Sequence, residues 1–81
     1  MSIPFLEARL DVLRTRLNAL APSVERARQV VRRLETEEVP AGAAQGARAA
    51  QLSAARAMAA TLEERERQVR IAIAALQNEI Q

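Results

Sequence analysis

Histidine and cysteine are both missing from the 81 residues, as are tryptophan and tyrosine; Phe5 is the lone aromatic. Without thiolates or imidazoles the chain has no disulfide framework, no thiolate metal site and no Cys–His or Ser–His pair for nucleophilic catalysis. The missing cysteine also removes any clue to redox compartment. Lysine is absent too. All 12 basic residues are arginine, which explains a sequence pI near 11.0 although the net charge is only +2. So even a balance argues against a dedicated polyanion binder, and no aromatics interleave with the arginines to stack on bases, so nucleic acid is not an expected partner. An all-arginine, alanine-rich chain suits a GC-rich genome, and a bacterial origin is the expectation.

Long apolar runs are lacking as well. The longest, Ile71 to Leu76, is far short of the roughly 20 residues that a membrane span needs. Glu7 and Arg9 interrupt the N-terminal apolar residues before a signal-peptide core forms. No membrane span and no cleaved signal are expected, leaving a cytoplasmic location or export by a dedicated secretion machine. No P-loop or GxGxxG occurs, and Thr15, Ser23, Thr36, Ser53 and Thr61 have no general base beside them. The expectation is a non-enzyme with no catalytic residues, cofactor or metal.

What the chain does have is a heptad seam on each side of one Pro/Gly-containing loop. Upstream, Ile3, Leu6, Leu10, Leu13, Leu17, Leu20, Val24, Ala27, Val31 and Leu34 follow one another at steps of three and four. Downstream, Leu52, Ala55, Ala59, Leu62, Val69, Ile73, Leu76 and Ile80 obey the same rule, with Glu66 in one slot. This a/d spacing marks a helix with a narrow apolar stripe. The two stripes invert onto each other about position 43: Leu34 meets Leu52, Val31 meets Ala55, Val24 meets Leu62, Leu17 meets Val69, Leu13 meets Ile73, Leu10 meets Leu76 and Leu6 meets Ile80. The predicted fold is all-α, an antiparallel two-helix coiled-coil hairpin forming one unit over residues 1–81.

The first helix is expected over about residues 3–38, capped by Ser2 with Pro4 in its first turn, followed by a loop over 39–46 and a second helix over about 47–80. Pro40 ends the first helix, and Gly42 and Gly46 supply turn freedom. Pro22 falls at heptad position f, facing away from the seam, and the a/d phase passes through it unchanged. A continuous helix bent on its outer side is expected there, a true break being the alternative.

The two flanks of the hairpin differ. On the e/b side lie Glu7, Asp11, Arg14, Glu25, Arg28, Arg32, Glu35, Arg56, Glu63, Arg67 and Arg70, a solvated surface. The g/c side instead carries Phe5, Val12, Ala19, Val30, Ala54, Met58, Ala72 and Ala75, rimmed by Arg9, Arg16, Arg65 and Glu79. A second apolar stripe beside the seam is what a hairpin needs to pair with another into a four-helix bundle. Two helices alone also leave much of each seam near water, so self-association or a partner chain is expected.

Three clusters of charge stand out. Glu66 replaces an apolar residue opposite Leu20; it is expected to reach outward and pair with Arg70, or to act as a polar layer that fixes the register. Glu35, Glu37 and Glu38 gather at the end of the first helix, where they could offer a metal-holding acidic tip to a partner. The preferred reading pairs Glu38 with Arg48 across the loop, because the tip has no Asp and no second acidic cluster faces it. Arg26, Arg28, Arg32, Arg33, Arg48 and Arg56 cluster in the loop half and are expected to be answered there by Glu25, Glu35, Glu37 and Glu38.

The turn Pro40-Ala41-Gly42 followed by Ala43-Ala44, with apolar Ala55 and Leu62 downstream, resembles the WXG family of type VII (ESX) secretion substrates. Those are small helical hairpins that pair as homo- or heterodimeric four-helix bundles and lack a cleaved signal. Pro4-Phe5, Asp11-Val12, Leu52-Ser53 and Leu76-Gln77-Asn78 are similar to type III secretion needle subunits. Val31, Arg33-Leu34-Glu35, Pro40, Leu62, Glu66 and Val69 look like the small subunit of exonuclease VII. The first two likenesses imply a secretion-system component or substrate that assembles with itself or a similar hairpin. The third implies an accessory subunit of a larger enzyme such as a nuclease.

Overall fold

The structure, a computed structural model, describes residues 3–38 and 42–81. The expected Ser2 cap and the Val39-Pro40-Ala41 part of the loop lie outside the described residues. Two helices make up the fold: α1 spans Ile3–Thr36 and α2 spans Ala43–Ile80, packed along their lengths in a rod of 63 × 14 × 13 Å. At about 1.5 Å per residue, helices of 34 and 38 residues run roughly 51 and 57 Å, nearly the whole rod. The molecule is an all-α helical hairpin.

Two cross-arm ion pairs fix direction and register. Arg28 Nε lies 2.8 Å from Glu63 Oε1, and Arg56 Nη2 lies 3.0 Å from Glu35 Oε2. Moving toward the loop on α1 therefore means moving back toward the loop on α2, so the arms are antiparallel. Both pairs join an e position to an e position, the arrangement that the seam inverted about position 43 requires. Val31 and Ala59 line one cleft between the arms, and Leu6, Leu13 and Leu76 line another, in the same register.

The heptad residues form the core. Leu6, Leu10, Val24, Ala27, Ala59 and Val69 are buried, Val24 most deeply at 2% exposure. Leu13, Leu17, Leu20, Val31, Leu34, Leu52, Ala55, Leu62, Ile73, Leu76 and Ile80 are half-buried. A two-helix rod has no third element to close over the edges of its seam, so many of the seam side chains stay partly wet. Ile3 departs from the seam and is exposed.

The connection between the helices, residues 37–42, takes two residues from the predicted end of α1 and gives four to α2, so it is shorter than the predicted 39–46 loop and shifted toward α1. α1 stops at Thr36 rather than near Glu38, with Glu37 N–H donating to the Arg33 carbonyl at 3.0 Å. α2 begins at Ala43 rather than Ala47, behind Gly42 at φ 102°, a conformation that costs a residue with a Cβ. Gly46 is accordingly a helical residue. Alanine has the strongest helix propensity, and Ala43, Ala44, Ala47, Ala49 and Ala50 outweigh the single glycine. α1 runs unbroken through Pro22, as the unshifted phase implied; the ring withholds one hydrogen bond from the Asn18 carbonyl on the exposed side.

Candidate functional site

Arg48 occupies a seam slot at the loop end of α2, and what it does there differs from expectation. Its guanidinium pairs with Glu37, Nη2 to Oε2 at 2.7 Å, and not with Glu38, which is exposed. It also donates to the Leu34 carbonyl from Nε at 3.0 Å and from Nη2 at 2.9 Å. The last carbonyls of a helix lack intrahelical partners. Because α1 ends two residues early, the Leu34 carbonyl is one of them, and Arg48, itself only 18% exposed, caps it from the opposite arm. The favourable end of the helix dipole for a cation is the C-terminus, so this placement adds to the bond.

Glu66 stays inside rather than reaching out. It is 8% exposed, and Arg70, one turn later and largely exposed, comes to it: Nη1 donates to Oε1 at 3.0 Å. Among the described residues no buried side-chain polar atom lacks a partner. Glu66 thus forms a satisfied polar layer among the apolar ones.

The e/b flank is zipped with charge. Arg28–Glu63 and Arg56–Glu35 cross between the arms, Arg32 pairs with Glu25 at 3.1 Å, and Arg67 pairs with Glu64 on the outer edge. The hydrogen bond and the charge of Glu63 raise the Arg28 pKa above the ordinary guanidinium value, with smaller contributions from Glu66 and Glu25. The acidic end of α1 is therefore largely spoken for, Glu35 by Arg56 and Glu37 by Arg48. Among the described residues no three acidic side chains converge to hold a metal ion.

The g/c flank has the opposite character. Phe5, Val12, Ala19, Val30, Ala54, Met58 and Ala75 are exposed, Phe5 at 62% and Met58 at 64%, and Ala72 is half-buried. Three clefts follow one another between the arms along this side. The first, at the free end, runs beside Phe5, Arg9, Ala72 and Glu79; the second lies between Arg16 and Arg65 over Leu20 and Val69, with Glu64 and Gln68 at its edge; the third lies beside Arg26, Val30 and Met58 over Ala27 and Leu62.

None of the arginines on this flank forms an ion pair among the described residues. Arg9, Arg16, Arg26, Arg33 and Arg65 are all unpaired, whereas Arg28, Arg32, Arg48, Arg56, Arg67 and Arg70 elsewhere are all paired and only Arg14 is not. The expectation that the loop-half arginines are answered by the nearby glutamates fails for Arg26 and Arg33. Glu25, Glu35 and Glu37 are taken by Arg32, Arg56 and Arg48, and the nearest polar partner of Arg26 is the Ser23 hydroxyl at 3.4 Å. Heptad position alone places Arg26 and Arg33 on this flank at c; what position does not disclose is which carboxylates the other flank claims.

The described helices contain no segment long and apolar enough to cross a membrane. Compared with protein-family models, with curated proteins and with solved structures, the chain has no match.

Proposed function

We propose that this chain is a non-enzymatic assembly protein that buries its g/c flank against another helical hairpin, itself or a similar chain, to complete a four-helix bundle. The observation that carries the proposal is the asymmetry of the rod. One flank is bridged by ion pairs between the arms, and its cleft is rimmed by Arg28, Arg32, Arg56 and Glu63, while the other presents exposed Phe5, Val12, Val30 and Met58 beside three open clefts. Burying this flank would also cover the half-wet edges of Leu13, Leu20 and Leu62, and removing such apolar area from water is the principal favourable term in bundle formation. The likeness of the turn and seam to secretion-system hairpins suggests a bacterial secretion system as the setting, as component or as substrate.

Sedimentation equilibrium of the pure chain, beside Met58→Glu, tests the proposal. A discrete bundle-sized species that the substitution weakens supports it. A chain that aggregates alone and becomes soluble only on co-expression with a large catalytic subunit would instead support the accessory-subunit reading, in which the same flank packs on an enzyme such as a nuclease.

A further inference from the structure

We infer that the partner taken by the g/c flank is not a second copy of this chain but an acidic helix or hairpin, with carboxylates spaced one heptad apart along its own apolar stripe. This inference rests on the proposed bundle and names its second half. Among the described residues, five arginines on the flank, Arg9, Arg16, Arg26, Arg33 and Arg65, have no carboxylate partner, and every arginine off the flank except Arg14 has one. Self-pairing through this face would double those arginines while adding Glu79 and two carboxylates already engaged, Glu37 by Arg48 and Glu64 by Arg67.

The least favourable contact would be at the middle cleft, where Arg16 and Arg65 stand on either side of Leu20 and Val69 and the carboxylate that lines it, Glu64, is already held by Arg67. Like charges brought together at an interface penalise the wrong partner, and opposite charges select the right one. Arg9 and Arg16 stand seven residues apart, as do Arg26 and Arg33, which is about 10.5 Å along a helix. A partner helix with Glu or Asp repeating at that interval matches both pairs. The apolar residues between the arginines lie beside open clefts between the arms, where the ridge of a partner helix can seat.

The test uses the intact chain and two synthetic helical hairpins with the same leucine/isoleucine stripes, one flanked by glutamate at seven-residue intervals and one by lysine. Phosphatidylserine vesicles and a uridine oligonucleotide are run alongside. The acidic hairpin is expected to bind roughly tenfold tighter than the lysine hairpin at moderate salt, with the preference shrinking as salt rises. Arg16→Glu and Arg14→Glu change net charge equally but lie on opposite flanks. Arg16→Glu is expected to weaken binding of the acidic hairpin by about fivefold or more, and Arg14→Glu by less than about twofold.

Equal losses in the two variants, or binding of vesicles or oligonucleotide as tight as that of the acidic hairpin, overturn the inference. A salt-resistant dimer of the chain alone, dissociated by Met58→Glu, overturns the acidic partner but leaves the bundle standing. A monomer indifferent to both hairpins overturns both.

Discussion

Arg48 of α2 donates two hydrogen bonds to the main-chain carbonyl of Leu34 in α1, at 3.0 and 2.9 Å. One side chain thereby terminates one helix from the first turns of the other and joins the arms at the loop end. Hydrogen bonds from a charged donor contribute about 1.5 to 3 kcal/mol, and Arg48→Met is expected to lose an amount in that range because the carbonyl is left without its partner. Arg48→Lys, lacking the planar fork, should recover only part of it. Urea unfolding followed by circular dichroism measures both.

Glu66, held by the exposed Arg70, forms a buried polar layer that an apolar residue would replace with gain. Glu66→Leu is expected to raise stability by about 1 to 2 kcal/mol while producing mixed oligomers in light scattering, since the layer penalises slipped pairings. A single clean species would remove the register role. Arg70→Ala leaves the carboxylate of Glu66 alone in the seam and should destabilise, the reverse of Glu66→Leu.

The two glycines respond oppositely to alanine. Gly46 lies within α2 with open space where a Cβ would stand, so Gly46→Ala is expected to stabilise by about 1 kcal/mol. Gly42 has φ +102° and ψ −141°, with equally open space, so Gly42→Ala is strained by its backbone alone and should cost about 1 to 3 kcal/mol. Thermal melts of the two variants distinguish backbone strain from packing.

Arg28 is held by Glu63, whose hydrogen bond and charge raise the guanidinium pKa. A raised folded-state value means that the stabilisation is fully present below the unfolded pKa and lost only as pH rises through the folded one. Both lie in strongly alkaline solution. The difference in melting temperature between the chain and Arg28→Met should therefore stay constant from neutral to mildly alkaline pH, shrink with added salt, and be smaller than that of Arg48→Met.

Much of this architecture is legible in the spacing of residues such as Leu6, Leu10, Val24 and Val69, because a heptad stripe has one way to hide and a short loop allows one direction of return. The ends of the helices are not, since Gly46 reads as a turn residue until the alanines around it are weighed. Arg48 is visible as a cation in a seam slot, but its acceptor depends on where α1 stops, and a shift of two residues exchanges Glu38 for Glu37 and exposes the Leu34 carbonyl. Glu66 is visible as an interruption; that Arg70 comes inward to it, rather than Glu66 going outward, is a matter of side-chain reach that periodicity does not encode. The exposed stripe of Phe5, Val12, Val30 and Met58 is legible. The unpaired state of Arg26 and Arg33 follows only from the full assignment of glutamates on the other flank.

Ser53 and Ala54 are adjacent, both exposed, and lie on opposite flanks of α2. Because the chain contains no cysteine, Ser53→Cys and Ala54→Cys each introduce a single thiol with little change in size. Alkylation of the two variants inside the cells that produce the protein reads directly which flank is covered. If the g/c flank is the assembly surface, Cys at 54 is protected while Cys at 53 reacts freely. Equal reaction at both positions would contradict it.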